Sequence, residues 1–466
     1  MVKSIACKPC FQDVSTCVSL SSLSRIIAAQ PNPAILGGND TVRGQSIFAA
    51  EPLDVFEFAM DDDRPFEKLH TFLSQYRLSP ETITATQAGF CGGWIGYFGY
   101  ELGRFIETLP QRAVDDVGLP VIRLAFYDKA ILYDHAKQTF TLLALEMDGT
   151  PPVRQKWDML NRWLSAAQNG LSAAAPPAAV GDVPTPSCNM TPSDYFAALK
   201  KIHRHIRDGD VYQINFSQRF SLPFTASPAA LFDWQNRRNP SPYAAYLAWD
   251  DTAIVSASPE LFLQVCGDRV VTRPIKGTRP RNGALPDDAC VNHQQFAALV
   301  ESEKDQAELA MIVDLERNDL ARVCVPGTRG VSCARCIEAF ATVYHAVATV
   351  EGTLAVPPSP QRVERLLRAT FPGGSITGAP KIRAMEIIDA LEPTARGVYT
   401  GSIGWIGLNF DLCLNIAIRT IVIDKHTAYI QTGGGIVADS DPQAEWDETL
   451  TKAHALLLGI ASVNRE

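Results

Sequence analysis

The sequence predicts an α+β fold built in layers, with antiparallel strands kept apart from the helices that cover them. Short β-prone runs recur between turn residues, at 121–127, 130–135, 139–145, 211–222, 244–249, 253–256, 261–265, 414–423 and 428–431. Helical stretches occupy separate segments, at 14–29, 67–76, 191–207, 301–323, 360–369, 381–391 and 441–460. With 466 residues, 46% of them hydrophobic, the chain can bury the large core that such layers need.

In chain order, the 14–29 helix ends before Pro31 and Pro33, and a second helix follows at 67–76. The stretch Gly92-Gly93-Trp94-Ile95-Gly96-Tyr97-Phe98-Gly99 mixes glycine with large aromatics. That composition suits a strand and turn approached closely by another backbone. Segments 121–127 and 130–135 read as a strand pair, with 139–145 after them. From 166 to 190 the composition turns to Ala, Pro, Gly and Ser, marking a linker or surface excursion. It divides the chain into an N-terminal region, 1–165, and a C-terminal region, 191–466. In the latter, Thr191 or Ser193 caps the 191–207 helix, and Asp441-Pro442 opens the last one.

The net charge of −9 argues against a nucleic-acid-binding surface but leaves room for a local basic pocket. No apolar run approaches the ~18 residues that cross a bilayer. The N-terminus also lacks the apolar core of a secretory signal, so a cytoplasmic location is expected. Eleven scattered cysteines argue against a disulfide framework. The pairs Cys7/Cys10 and Cys333/Cys336 have zinc-ligand spacing but no compact ribbon around them, and inert thiols are the expectation.

One lysine stands out. In Arg273-Pro274-Ile275-Lys276-Gly277-Thr278-Arg279-Pro280 it follows a β-prone segment, in what reads as a short stiff loop fenced by two prolines. Rigid support of that kind can position a reactive amine, although locally a solvated surface lysine fits as well. Glu260, sixteen positions earlier at a strand end, can serve as a general acid. On the 301–323 helix, Glu308 lines up with Ile312 and Leu315, and a carboxylate on an apolar face needs a partner or a cation. Glu445 and Glu448 lie three apart on the last helix, flanking a stripe of Trp446, Leu450, Ala453 and Leu457. Three carboxylates on two helices suit Mg²⁺, while acids in a first helical turn also simply complement the dipole.

Arg419, inside an apolar strand, calls for an anionic partner. Gly433-Gly434-Gly435 follows a strand and can offer amides to a carboxylate. Residues 372–381 have two glycines at phosphate-loop spacing, but Ala379-Pro380 stands where Lys-Ser/Thr is required. The segment still presents Ser375 and Thr377 hydroxyls, with Lys381, to an anion at a helix start. His345 sits in an apolar strand-like run, where a satisfied core histidine is the plainer reading.

Taken together these segments resemble the chorismate-utilising enzymes. The likeness is carried by Gly209–Asn215, Ser258-Pro259-Glu260, Pro274–Thr278, Ile312–Asp319, Pro372–Lys381, Gly433–Ser440 and the N-terminal Gly93–Gly99, and so covers nearly the whole chain. It implies a sandwich of two large antiparallel β-sheets flanked by helices, with strands from both regions. It also implies amination of chorismate through a covalent lysine adduct at C2, giving 4-amino-4-deoxychorismate for 4-aminobenzoate and folate synthesis. Lys276 matches the nucleophile of the aminodeoxychorismate synthases in that family, where the anthranilate synthases carry alanine. Gln213 stands where water-using relatives have a base lysine. By the same resemblance Glu260 is the general acid, Glu308 and Glu448, with Glu445 nearby, hold Mg²⁺, and Arg419, Gly434 and Gly435 grip the enolpyruvyl carboxylate. Ser375 and His345 line the substrate pocket; Trp405 stands where relatives often have tyrosine.

The chain shows no glutaminase signature and no lyase region, so ammonia is expected from a separate glutaminase subunit (component II) in a heterodimer, and the product to pass to a lyase. Two alternatives stay open: anthranilate synthase component I, and a non-catalytic homologue that only binds chorismate or an aromatic amino acid.

Overall fold

A computed structural model of the chain describes residues 4–79, 89–170, 185–281, 289–340 and 343–464. Two sheets dominate it. Among the described residues one has thirteen strands and begins at Ser187–Cys188, continuing through Gln213–Pro223 (with Gly378–Ala379 pairing beside it), Thr427–Ile436, Thr420–Asp424, Thr252–Ser258 and Tyr243–Trp249. It then runs into the N-terminal strands Ala34–Leu36, Gln45–Ala49, Lys129–Asp134, Thr139–Glu146, Ile5–Val14 and Tyr76–Leu78. The other has ten, in the order Ile275–Pro280, Val343–Thr353, Arg269–Arg273, Leu261–Cys266, Leu412–Asn415, Ser402–Gly407, Gly93–Phe98, Ile122–Tyr127 and Asp54–Phe58, with Gly330–Ala339 pairing beside Val343–Thr353. The 1–165 region therefore supplies strands to both.

Alternation along the strands builds the layers. In Gly93–Phe98, Ile95 and Tyr97 join a core shared with Ala34, Ile47, Leu132, Leu247 and Ile254 of the other sheet, while Trp94 and Phe98 point the opposite way. The outward face of the smaller sheet packs with apolar residues of helices Pro65–Leu73, Glu303–Ala321 and Pro360–Thr370. The larger sheet is covered by Leu20–Ala28, Val153–Asn169, Pro228–Arg238 and Pro442–Val463. The α+β sandwich is thus the observed architecture. Gly96 and Gly404 face each other across one ladder, and a Cβ on either would come within 1.9 Å of a carbonyl oxygen. That is the close backbone approach expected of the glycine-rich stretch.

Several elements differ from the sequence expectation. The 14–29 segment holds the end of strand Ile5–Val14 and then the helix Leu20–Ala28, capped by the Ser19 hydroxyl. Val153–Asn169 carries a helix into the start of the 166–190 stretch, Ser187–Cys188 near its end pairs at a sheet edge, and 171–184 lies outside the described residues. Thr191, with Asp194, forms the capping box of Pro192–Arg207. On the last helix the buried stripe runs through Glu445, Thr449, Ala453, Leu456 and Leu457, whereas Leu450 is exposed. Cys333 and Cys336 are joined as a disulfide rather than left as thiols, on an edge strand whose register shifts between them. No helix among the described residues is long and apolar enough to cross a membrane.

Candidate active site

Lys276 is placed by a strand, not a loop. Ile275–Pro280 forms the edge of the smaller sheet and pairs with Val343–Thr353, with a register shift between Ile275 and Thr278 that interrupts the ladder at Lys276. The edge of the larger sheet comes close at this point, bringing Gln213–Pro223 and Thr427–Ile436. Gly435 is the junction. A Cβ there would lie 2.1 Å from Gln213 Nε2, which would have to shift, and in ordinary contact, 3.6 Å, with Lys276 Nζ. The three glycines are therefore strand residues, not a turn.

The Lys276 amine donates to the Ser375 carbonyl at 3.2 Å and forms no ion pair among the described residues. Burial pushes its pKa down, against the pull of Glu308 and then Glu260. Gln213 is buried and its amide reaches Glu308 Oε2 at 3.5 Å. Glu260 is only 4% exposed, and burial raises its pKa, although Ser375, Lys276, the Ile275 amide and Arg419 favour the charged form. His345 is held through Nδ1 to Thr278 Oγ1 at 2.8 Å. Burial, with Arg419 nearby, lowers its pKa to about 3, so it is neutral.

Four buried polar atoms around this point have no hydrogen-bond partner among the described residues: Gln213 Oε1, Glu260 Oε1, His345 Nε2 and Ser375 Oγ. Each costs about 1–3 kcal/mol until a ligand or water meets it. They come from four separate stretches of the chain and are groups that a polar small molecule could satisfy.

Arg419 is not inside a strand. It occupies the left-handed region (φ 50°) in the link between Leu412–Asn415 of one sheet and Thr420–Asp424 of the other. Its half-buried guanidinium makes no ion pair among the described residues. Burial lowers its pKa, with Glu260 opposing, which fits a cation kept for an incoming anion.

On the other side of the amine stand three acids. Glu445, buried, accepts from Ser440 Oγ at 2.7 Å; Glu448, exposed, pairs with Lys452 at 2.7 Å. A Cβ on Gly434 would meet Glu445 Oε2 at 2.9 Å and Glu448 Oε1 at 3.7 Å, so both carboxylates cover that glycine. Burial raises the pKa of Glu308 and Glu445, and each also feels Glu448. Burial acts in the same sense on Glu448, yet Lys452 and Lys304 hold its pKa low. An all-oxygen donor set of this kind fits a hard divalent cation. Among the described residues no three such side chains are already gathered tightly enough to grip one.

Thr377, Lys381 and Trp405 are occupied elsewhere. The Thr377 hydroxyl donates to the carbonyls of Gly373 and Gly374. Lys381 binds Asp319 at 2.5 Å and the Thr370 carbonyl at 2.9 Å. Trp405 packs edge-on to Phe90 and joins the core between the sheets. Sequence reasoning missed Glu316, which is buried, accepts from Thr272 Oγ1 at 2.9 Å and is electrostatically coupled to Glu260. Its signal was the i, i+4, i+8 series Glu308, Ile312, Glu316 on one helix face. It also missed Lys452, one turn after Glu448.

An amine whose pKa burial lowers, a buried acid and an arginine without an ion pair among the described residues make an arrangement suited to an anionic small molecule. A family model described as chorismate binding enzyme matches residues 36–458, and the chain belongs to that family. It is 39% identical over 395 residues to the aminodeoxychorismate synthase component 1 of Salmonella typhimurium, spanning 85% of this chain and 82% of that one. It is also 40% identical over 376 residues to an anthranilate synthase component 1 of Haloarcula marismortui, spanning 79% and 75%. The solved anthranilate synthase component I from Streptococcus pneumoniae superposes with a TM-score of 0.74 at 30% identity, covering 89% and 92%.

Proposed function

We propose that the protein aminates chorismate at C4 with ammonia, forming 4-amino-4-deoxychorismate and water in the route to 4-aminobenzoate. The observation that carries this reading is Lys276 itself: an amine lowered in pKa by burial, free of ion pairs among the described residues and next to Gln213. An amine must be neutral to act as a nucleophile. Lys276 attacks C2 while the C4–O bond breaks, and Glu260 gives its proton to the departing hydroxyl. Ammonia then bonds to C4 and the C2–N bond to Lys276 breaks, restoring the amine. The proton shed by the new ammonium returns to Glu260, so the enzyme ends as it began. Arg419 and the amides of Gly434 and Gly435 would hold the enolpyruvyl carboxylate, with Ser375 and neutral His345 against the rest of the substrate.

Glu308, Glu445 and Glu448 are the residues that would hold Mg²⁺, which when bound supplies a grip on the ring carboxylate and draws charge from the leaving oxygen. Ammonia would come from a separate glutaminase subunit, in keeping with the name component 1 carried by the relatives, and the pair would work in the cytoplasm.

Anthranilate synthesis is the second reading, because relatives of both kinds match about equally well. Chorismate, Mg²⁺ and excess ammonium salt, followed by mass identification of the product, separates the two. Aminodeoxychorismate is expected; fluorescent anthranilate as the main product would overturn the proposal.

A further inference from the structure

Arg396 has no part in the chemistry above, yet its side chain is 1% exposed and each of its five N–H groups has an acceptor. Nε and Nη2 donate to the two oxygens of Glu392, at 2.8 and 2.7 Å. Nη1 donates to the Ile376 carbonyl at 2.9 Å and to the Thr400 hydroxyl at 3.2 Å. Nη2 also donates to the Asn215 carbonyl at 2.7 Å. Glu392 is anchored in turn by the backbone N–H and the hydroxyl of Ser217, at 2.9 and 2.7 Å. The ion pair alone would compensate the buried charge; the two carbonyls are held in addition, and both belong to segments that carry site groups. Asn215 lies two residues beyond Gln213 in the same strand, and Ile376 follows Ser375. The segments are zipped together, since Asn215 N–H donates to the Thr377 carbonyl at 2.7 Å and Gln213 pairs with Ala379. Thr377, fully buried, ties the turn from within, its hydroxyl reaching the Gly373 and Gly374 carbonyls at 3.0 and 3.3 Å. In the middle of that turn stands the Ser375 carbonyl, the acceptor of the Lys276 amine.

We infer that Arg396 and Thr377 are positioning residues for Lys276, fixing the turn at 373–377 so that the Ser375 carbonyl aims the amine at the substrate. The inference rests on the reading of Lys276 as the nucleophile. A neutral amine with one N–H held by a rigid carbonyl loses rotation about its last bond, and its lone pair is confined to directions away from that oxygen. Orientation of this kind lowers the barrier to attack without tightening substrate binding. Lysine cannot replace arginine here. Its ammonium can stay with Glu392, but a point charge does not span Glu392, Ile376 and Asn215 as the planar fork does.

The test compares wild type with Arg396→Lys, Thr377→Val and Thr377→Ser. Three quantities are read: KM for chorismate, kcat with ammonium, and the rate at which a Lys276 adduct appears on acid quenching without ammonia. Arg396→Lys is expected to lower kcat and the adduct rate together by about 10²-fold, with KM within about threefold of wild type. Thr377→Val, which keeps the shape but not the hydroxyl, is expected to lower both rates about tenfold. Thr377→Ser keeps the hydroxyl and should recover most of that loss, although serine fills less space than valine. A purely packing role predicts the reverse order, so this pair carries the test if Arg396→Lys does not fold. Thr377→Ser as slow as Thr377→Val, losses confined to KM, or wild-type rates in both Arg396→Lys and Thr377→Val would overturn the inference. Should Lys276→Ala keep full kcat, it is the reading of Lys276 as nucleophile that fails, a different result.

Discussion

Glu260 and Glu316 are 4% and 7% exposed, whereas the Glu448 side chain is 51% exposed and paired with Lys452. Both inner carboxyls are buried, Glu316 against the Thr272 hydroxyl and Glu260 at the turn into strand Leu261–Cys266. Of the outer acids, Glu308 and Glu445 each feel Glu448, and all three feel a common cation, Lys304, as well as Lys452 or Lys276. The same functional group has thus been set two tasks by its surroundings. Carboxyls without water are driven to hold protons, which suits an acid. Glu448, at the surface beside Lys452 and Lys304, is held toward its charged form, and with Glu308 and the buried Glu445 it is suited to share a cation. Lys276 lies between the groups, pulled toward its charged form by Glu308 on one side and Glu260 on the other.

The difference is open to direct attack, starting where the effect is largest. Glu260→Gln, which keeps the shape but removes the donated proton, is expected to lower kcat by about 10²–10⁴. Steady-state assays with ammonium check it, and no amount of added Mg²⁺ should restore the rate. Glu448→Gln should behave in the opposite manner. The Mg²⁺ concentration for half-maximal rate is expected to rise about 10–100-fold, with most of kcat recovered at saturating metal. Equal losses that metal cannot repair in both variants would erase the distinction between the two groups.

Stability carries the next contrast. The Glu316 pKa in the fold lies above its ordinary value of 4.5, with burial the main cause. Its contribution to stability is therefore full below the unfolded pKa and is lost as pH rises through the folded one. Thermal melts of Glu316→Gln should accordingly match or fall below wild type at pH 4 and exceed it at pH 8. The exposed Lys452–Glu448 pair gives the smallest effect. Lys452→Ala should change unfolding free energy by under about 1 kcal/mol, and less in high salt, as urea titrations at two ionic strengths would read.

Much of this was legible in the sequence, and what was not has physical causes. The helix carrying Glu308 was expected at 301–323 and forms at Glu303–Ala321, and the helix opened by Asp441-Pro442 was announced by its cap and forms as Pro442–Val463. Lys276 was found by its motif, but its flanking prolines suggested a loop where pairing with Val343–Thr353 makes a strand. Tertiary pairing overrode the local signal. Arg419 looked like a strand residue because its neighbours are apolar; its positive φ marks the crossing between sheets, which no local pattern reveals. Glu316 escaped because its meaning depends on Thr272, 44 residues away. Trp405 was carried over from relatives by position, while its ring is spent on packing with Phe90.

The central claim is that the Lys276 amine bonds to the substrate. Acid quenching of the enzyme with chorismate and Mg²⁺ in the absence of ammonia, followed by intact-protein and peptide mass analysis, tests it most directly. A species heavier by chorismate less one water, localised to the peptide containing Lys276 and missing from Lys276→Ala, is the predicted result. The same adduct in Lys276→Ala, or none in wild-type enzyme that turns over normally once ammonia is added, would contradict it.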